Sequence, residues 1–515
     1  MDFDFIIQGG EVVDGTGKTD RYRADVGIKD GRVAALGDLS PAKAASVIDA
    51  TGQIVCPGFI DVHVHSENTL LGGRDQMAGI RQGITTQLLA PDGFGWAGIT
   101  AEEAMPLWQY TQFAYGEPQI PVDWPTIDSY LNLFPGRSPA NVCPQVPHCA
   151  VRVKAMGWAA RPATSDEIKV MEDETRAWME AGAGCLCLGL DYQPSANASF
   201  EELVALCKVA KEYDGIYAAH LRYQILGRPK AWQELVDLNR ASGIPVHASH
   251  ERVDDITGPI LDQVDADDID ISFESYLYPA GMTHITMQLP MWVQSGSPDE
   301  VLERMKQRDT REKTLDYLRE KKTLSDRNLV GYTKTGRYTG MTLGEAARSE
   351  NKPKEEFAYD LVIEEEGIQA FVVFWPTPEE ENEKTLSRTS NHPKMMVASD
   401  GVYDCPHPHP RGHGCFSRML RKFVREQKTV SLEEAIYKMS GYPADRYRLR
   451  DRGKLGEGLP ADVVVFNADT VADKSTFESP IQYPAGVPFV FVNGTLVINK
   501  GEPTADRPGQ VLRRN

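Results

Sequence analysis

His63-Val64-His65, entered from the run Phe59-Ile60-Asp61-Val62, sets two imidazoles one residue apart. On an extended chain alternate residues leave the same face, so both rings point one way. Two neutral imidazoles at a strand end make a pair of ligands for a divalent metal. So short a pattern gains weight from further donors, and four appear downstream, each just after a short apolar run. Asp92 follows Leu88-Leu89-Ala90, His220 follows Ile216-Tyr217-Ala218-Ala219, His250 follows Ile244-Pro245-Val246, and Asp400 follows Met395-Met396-Val397-Ala398. Histidines and carboxylates with room for water form a hydrolytic centre, because the metal lowers the pKa of its bound water. Asp400, after the last run, suits the carboxylate that takes that water's proton and passes it to a leaving amine. His247 and His250 are an odd number of positions apart, so on one strand they would face opposite ways. His250, nearer the strand end, is the expected ligand, and His247 is expected to be buried structure.

Donors so scattered in sequence need a scaffold that gathers them. Apolar strands alternating with amphipathic helices, as in Glu201–Glu212 followed by Gly215–His220, predict a parallel sheet. Its length suits an eight-fold barrel, whose strands bring their C-terminal ends to one rim. Both chain ends read instead as short strands. Asp30-Gly31 and Asn493-Gly494 are two-residue hairpin signals, and Ser431-Leu432-Glu433-Glu434 opens a helix with a capping box. The two β-rich ends are expected to pair into one small domain. From about 285 to 390 the alternation breaks into a charged helical run, Asp299–Lys322, and an acidic segment, Pro378-Glu379-Glu380-Glu381. In a barrel this is an insertion on the rim that carries the site, either a lid or a solvated ornament.

The 515 residues, 41% hydrophobic and 25% charged, have the composition of a soluble globular protein. A net charge of −19 argues against nucleic acid or an anionic membrane as partner, since long-range attraction has the wrong sign. A small anionic substrate stays open, because local arginines can invert the potential inside a pocket. The start Met1-Asp2-Phe3-Asp4-Phe5 lacks a basic region and a long apolar run, so a cytoplasmic protein is expected. Eight cysteines in a chain this long make no disulfide framework.

Pro57-Gly58-Phe59-Ile60-Asp61-Val62-His63-Val64-His65, taken with Asp400-Gly401, resembles the amidohydrolase superfamily. The closer resemblance is to the N-acyl-D-amino-acid deacylase, or D-aminoacylase, family. Gly215–Arg222, Gly243–His250 and Tyr276–Gly281 are similar to that family's fifth-, sixth- and seventh-strand signatures. His409-Pro410-Arg411 with Gly414-Cys415-Phe416, and the tail from Gly453 to Gly494, are similar too. The resemblance implies a distorted (β/α)8 TIM barrel over about 58–450, with a composite β-sandwich from 1–57 and 451–515. It also implies zinc, as one or two ions, and a substrate-carboxylate site at Arg411 and Tyr276; an arginine fork suits a planar carboxylate.

Three departures stand out. Where the family places a bridging cysteine after strand two, this chain has Pro91-Asp92-Gly93-Phe94; aspartate is a harder donor. Strand four, Cys185-Leu186-Cys187-Leu188-Gly189, has no lysine to be carboxylated, which leaves Cys187 either a thiolate ligand or a packed core cysteine. The family's lysine after the sixth strand is Arg252, and its serine after the seventh is Met282, both where the family contacts substrate. Phe94 and Trp96 read as an apolar wall for substrate or as rim packing.

The reading that follows is a metal-dependent amidohydrolase cleaving a non-peptide amide C–N bond in an N-acyl amino acid or related small molecule. The ligands expected are His63, His65, Asp92, His220, His250 and Asp400, with Asp400 as base and then acid and Arg252 beside the carboxylate site. A cyclic-amide hydrolase of the hydantoinase or dihydroorotase kind shares this machinery, and a catalytically silent scaffold of the same fold is the alternative from another class. Substrate handedness, metal number and oligomeric state, a homo-oligomer included, stay open.

Overall fold

The computed structural model describes residues 2–73, 75–375 and 377–514. Eight short parallel strands surround its centre: β1 (Phe59–Asp61), β2 (Ile84–Leu88), β3 (Asn141–Cys143), β4 (Cys185–Gly189), β5 (Ile216–His220), β6 (Val246–Ala248), β7 (Ile271–Ser275) and β8 (Met395–Val397). Nearly every residue in them is buried, as expected of strands covered on both faces. β3 resumes beyond Pro144 as Val146–Pro147 and so links β2 to β4. Pairing then runs in order from β4 to β8.

Between β8 and β1 a side chain supplies the seam. The Asp61 carboxylate accepts the Ser399 N–H at 3.0 Å and its hydroxyl at 2.5 Å. Just beyond, Asp400 N–H donates to the His63 carbonyl at 2.8 Å and Gly401 pairs with Val64. This closure is where the (β/α)8 barrel is distorted. Surrounding helices start on the expected caps; Ser199 accepts the Glu202 N–H and Ser431 the Glu434 N–H.

The chain ends form two facing sheets. One holds Phe3–Gln8, Asp25–Lys29, Arg32–Gly37 and Ala44–Asp49; in the other, Val463–Phe466 from the C-terminal part pairs with Ile54–Pro57 from the N-terminal part. Alternation divides the strand Val463–Phe466: Val463 and Val465 join Ile7, Val26 and Phe491 between the sheets, while Val464 and Phe466 pack toward the barrel with Phe59. Asp30-Gly31 and Asn493-Gly494 are both left-handed throughout, as a type I′ turn requires, and the two turns abut. A Cβ on Gly494 would lie 2.5 Å from the Gly31 Cα.

After β7 the chain builds an antiparallel sheet, Ala280–Thr283 with Gln369–Phe374 and Leu329–Thr333, over its own core of Leu315, Leu318, Val330, Phe357 and Phe371. The charged run 299–322 divides into helices Pro298–Met305 and Arg308–Lys321. The acidic residues 379–381 open a helix, Glu379–Asn391, that leads straight into β8 and so belongs to the barrel layer rather than to the insertion. Among the described residues no helix is long and apolar enough to cross a membrane.

Candidate metal centre

Every donor picked out by sequence lies at the C-terminal rim, and left-handed turns deliver three of them. Asp92 (φ 55°), His250 (φ 42°) and Asp400 (φ 46°) all occupy a region that non-glycine residues seldom adopt. The turn lets a chain leaving a strand fold its side chain back over the barrel mouth. Gly93 belongs to the same device: it has φ 69°, and a Cβ there would meet the Cys187 carbonyl at 2.5 Å. The loop bearing Asp92 therefore lies directly on β4. The parity argument for His247 and His250 fails because β6 ends at Ala248. His247 is buried in the barrel interior, and the left-handed turn at His250 brings its main chain to Glu274 as well.

Two sets of three donors meet around one ring. His63, Asp92 and His250 form one, and His63, His65 and Asp400 the other; within each, the ligand atoms lie within 4.8 Å of one another. His63 Nε2 is 3.6 Å from Asp92 Oδ1 and 3.8 Å from Asp400 Oδ1, while His65 Nε2 is 3.7 Å from Asp92 Oδ2 and 3.4 Å from Asp400 Oδ1. His250 Nε2 is 3.9 Å from Asp92 Oδ1. Asp92 thus turns one oxygen to His63 and His250 and the other to His65. Among the described residues, His63 Nε2 and Asp92 Oδ1 are buried with no hydrogen-bond partner. Orphaned donors of this kind fit a cation, and nitrogen with carboxylate oxygen suits zinc.

Electrostatics point the same way. Burial opposes charge on His63, but Asp92, Glu274 and Asp400 outweigh it and hold the ring well above its ordinary pKa. Burial likewise opposes ionisation of Asp92, and His63, His250 and His220 overcome it. Asp400 is drawn down to about 2, because Arg411 and His65 more than offset its burial. The centre is a buried concentration of negative charge that attracts a cation.

His220 stands apart from both sets. Its Nδ1 is 3.0 Å from His250 Nε2 and its Nε2 is 3.2 Å from Asp191 Oδ2. Cys187 belongs to neither set; it packs in the barrel interior with Ile60, Ala218 and Met396, and burial pushes its thiol up. Sequence reasoning missed Asp191, Glu274 and Glu67. Asp191 carried a usable signal, since it follows the apolar run Leu186–Leu190 as Asp92 follows its own.

A cavity of about 250 Å³ opens over the donors, with Arg252, Tyr276 and Arg411 in its lining. Arg411 Nη1 is 2.7 Å from Asp400 Oδ2, and its guanidinium lies 4.5 Å above the Tyr276 ring. Arg252 stacks 3.6 Å over Trp375 from the inserted sheet. Phe113, Tyr192 and Met282 supply apolar wall. Phe94 packs near the His65 ring, whereas Trp96 is buried against Trp108 and Tyr115 as rim packing.

Comparison with known proteins shows relatives over the whole length of the chain. The amidohydrolase family model matches residues 46–498. The chain is 32% identical to the D-aminoacylase of Alcaligenes xylosoxydans xylosoxydans over 531 aligned positions, covering 99% of this chain and 98% of that protein. It is also 32% identical to the N-acyl-D-glutamate deacylase of the same organism, covering 99% and 97%. The crystal structure of N-acyl-D-glutamate deacylase from Bordetella bronchiseptica, complexed with zinc and a phosphonate inhibitor that mimics the tetrahedral intermediate, superposes with a TM-score of 0.84. It is 31% identical, and the match covers 100% of both chains.

Proposed function

This chain belongs to the amidohydrolase family, and we propose that it hydrolyses the amide C–N bond of an N-acyl-D-amino acid at a zinc centre. The observation that carries the proposal is the meeting of His63, His65, Asp92, His250 and Asp400 beneath a cavity that also holds Arg252, Tyr276 and Arg411. Substrate class and handedness are taken from the deacylases it resembles over their whole length.

His63, His65, Asp92, His250 and Asp400 would hold one or two ions, with His220 packed on His250 to complete the set. A bound zinc polarises the amide carbonyl and makes water acidic enough to attack at neutral pH. Asp400, kept ionised by Arg411, takes a proton from the attacking water and delivers it to the amide nitrogen. The C–N bond then breaks, releasing a free amine and a carboxylic acid. Arg252, Tyr276 and Arg411, which all line the cavity, take the substrate carboxylate. The inserted sheet sends Met282, Thr283, Val373 and Trp375 into the cavity lining and acts as its lid. We assign 1–57 and 451–515 to the sandwich and 58–450 to the barrel with its insertion, and place the protein in the cytoplasm, where eight buried thiols stay reduced.

The test is hydrolysis by the zinc-loaded protein of N-acetyl-D-amino acids, their L counterparts, hydantoin and dihydroorotate. Cleavage of the linear D compounds is expected. Turnover of the cyclic amides alone would replace this proposal with a cyclic-amide hydrolase.

A further inference from the structure

One buried carboxylate serves two of the expected ligands at once. Glu274, on β7 and 1% exposed, accepts the Nδ1–H of His63 on Oε1 at 3.0 Å and the backbone N–H of His250 on the same oxygen at 2.9 Å. Its Oε2 lies against Nε2 of His247. Behind that ring, Nδ1 of His247 is 2.7 Å from the Ser272 hydroxyl. His247 and Ser272 are register partners on β6 and β7. Ser272, His247, Glu274 and His63 therefore form a continuous polar line from the barrel interior to the metal centre. Much of the interior beside it is apolar or thiol: Ile60, Cys187, Ile216, Ala218 and Met396.

With His63 neutral, as a metal ligand has to be, the chemistry of the line admits one consistent placement of protons. An ionised carboxylate only accepts, so both imidazoles donate to Glu274: His63 through Nδ1–H and His247 through Nε2–H. Nδ1 of neutral His247 is then an acceptor, and the Ser272 hydroxyl donates to it. His63 is left with a bare Nε2, which faces Asp92 and Asp400 and has no hydrogen-bond partner among the described residues. The opposite tautomer would put an N–H where a cation has to sit. A fully paired polar line of this sort also avoids the cost of burying unsatisfied groups in a barrel core.

We infer that Glu274, backed by His247 and Ser272, is the positioning residue that fixes His63 as a metal-binding tautomer and holds the left-handed main chain of His250 in place. The inference rests on the reading that His63 is a ligand. It assigns a role to His247, which the hydrolytic scheme does not use, and names a residue that acts through its neighbours rather than on substrate.

The test uses the full chain, stripped of metal and titrated with zinc against a chromophoric chelator. Glu274→Gln keeps the shape but offers an amide N–H₂ to one of the two rings, which then has to accept. A loss of about 10–100-fold in zinc affinity is expected, the range typical of partners behind a metal-bound histidine. In the zinc-loaded protein, the His63 Nδ1 proton should exchange slowly with solvent in the wild type and faster in the variant. His247→Gln, which can still donate to Glu274, should weaken zinc less and serves where Glu274→Gln fails to fold. His63→Ala is the reference: if it leaves zinc affinity unchanged, the ligand reading itself fails. If His63→Ala weakens zinc while folded Glu274→Gln, or His247→Gln in its stead, binds as the wild type does, the positioning role is overturned.

Discussion

Glu67 accepts the backbone N–H of Ala90 at 2.5 Å, which ties the loop after His65 to the loop that carries Asp92. Each partner lies two residues from an expected ligand. Ala90 is itself left-handed at φ 57°, so the hydrogen bond secures a turn that alanine does not favour unaided. Donors from the first and second barrel strands are thereby held in register by one buried contact.

Glu67→Ala removes the acceptor and leaves a buried N–H unpaired, at a cost of about 1–3 kcal/mol. A melting temperature several degrees lower and weakened zinc binding are expected. Glu67→Gln keeps an acceptor and should retain most of both. Equal zinc affinity in the alanine variant and the wild type would show that Asp92 needs no such support.

Burial lifts the Glu67 carboxyl to about 7, only partly countered by the Ala90 N–H. The sign follows from linkage. Between the unfolded pKa near 4.5 and about 7, the folded chain holds a proton that the unfolded chain has released, so stability falls as pH rises through that window. Glutamine has no proton to lose. In the metal-free protein, the melting temperature of Glu67→Gln relative to wild type should climb across this range and level off above it. A difference that stays constant with pH would contradict the assignment.

Asp92 and Cys187 are separable by metal content. Asp92 faces both donor sets and Cys187 neither, so Asp92→Ala should lose at least one zinc equivalent while Cys187→Ala keeps the wild-type stoichiometry. The reverse pattern, measured by elemental analysis, would make the strand-four thiol the bridge.

Asp400→Asn should fold and still bind zinc through the remaining donors, yet lose turnover by a factor of at least about 100, the lower end of what general acid–base catalysis contributes. A kcat close to wild type would pass the proton-transfer role to another group.

Gly494→Ala tests the junction of the two hairpins. The residue has φ 76° and its new Cβ would approach the Gly31 Cα to 2.5 Å, so backbone must shift. Strain in the left-handed region and the clash together should cost about 1–3 kcal/mol. An unchanged melting temperature would show that the turns do not abut in solution.

Much of this site is readable without coordinates because a barrel turns sequence position into spatial position. A polar residue just past an apolar run lands on the rim, which is how His63, His65, Asp92, His220, His250 and Asp400 stand out. Alternation along a strand is a weaker guide. It singled out His250 over His247, yet the reason differs: β6 stops two residues short of His250 and a left-handed turn intervenes. Glu274 stayed hidden for another reason: within Ile271-Ser272-Phe273-Glu274-Ser275 it is one polar residue among several, and only the closed barrel brings it beneath two histidines. The acidic residues 379–381 are an exposed helix start, and only the structure shows that this helix leads into β8.

The antiparallel pairing of Ile54–Pro57 with Val463–Phe466 has a consequence for how the molecule is made. Its two strands leave the ribosome about 400 residues apart, or roughly 20–80 s at ordinary elongation rates. Throughout that interval the N-terminal half-sheet carries an unsatisfied edge, the kind of surface on which nascent chains aggregate. This contact can form only after the intervening barrel strands have been made, so the sandwich closes around a barrel already synthesised.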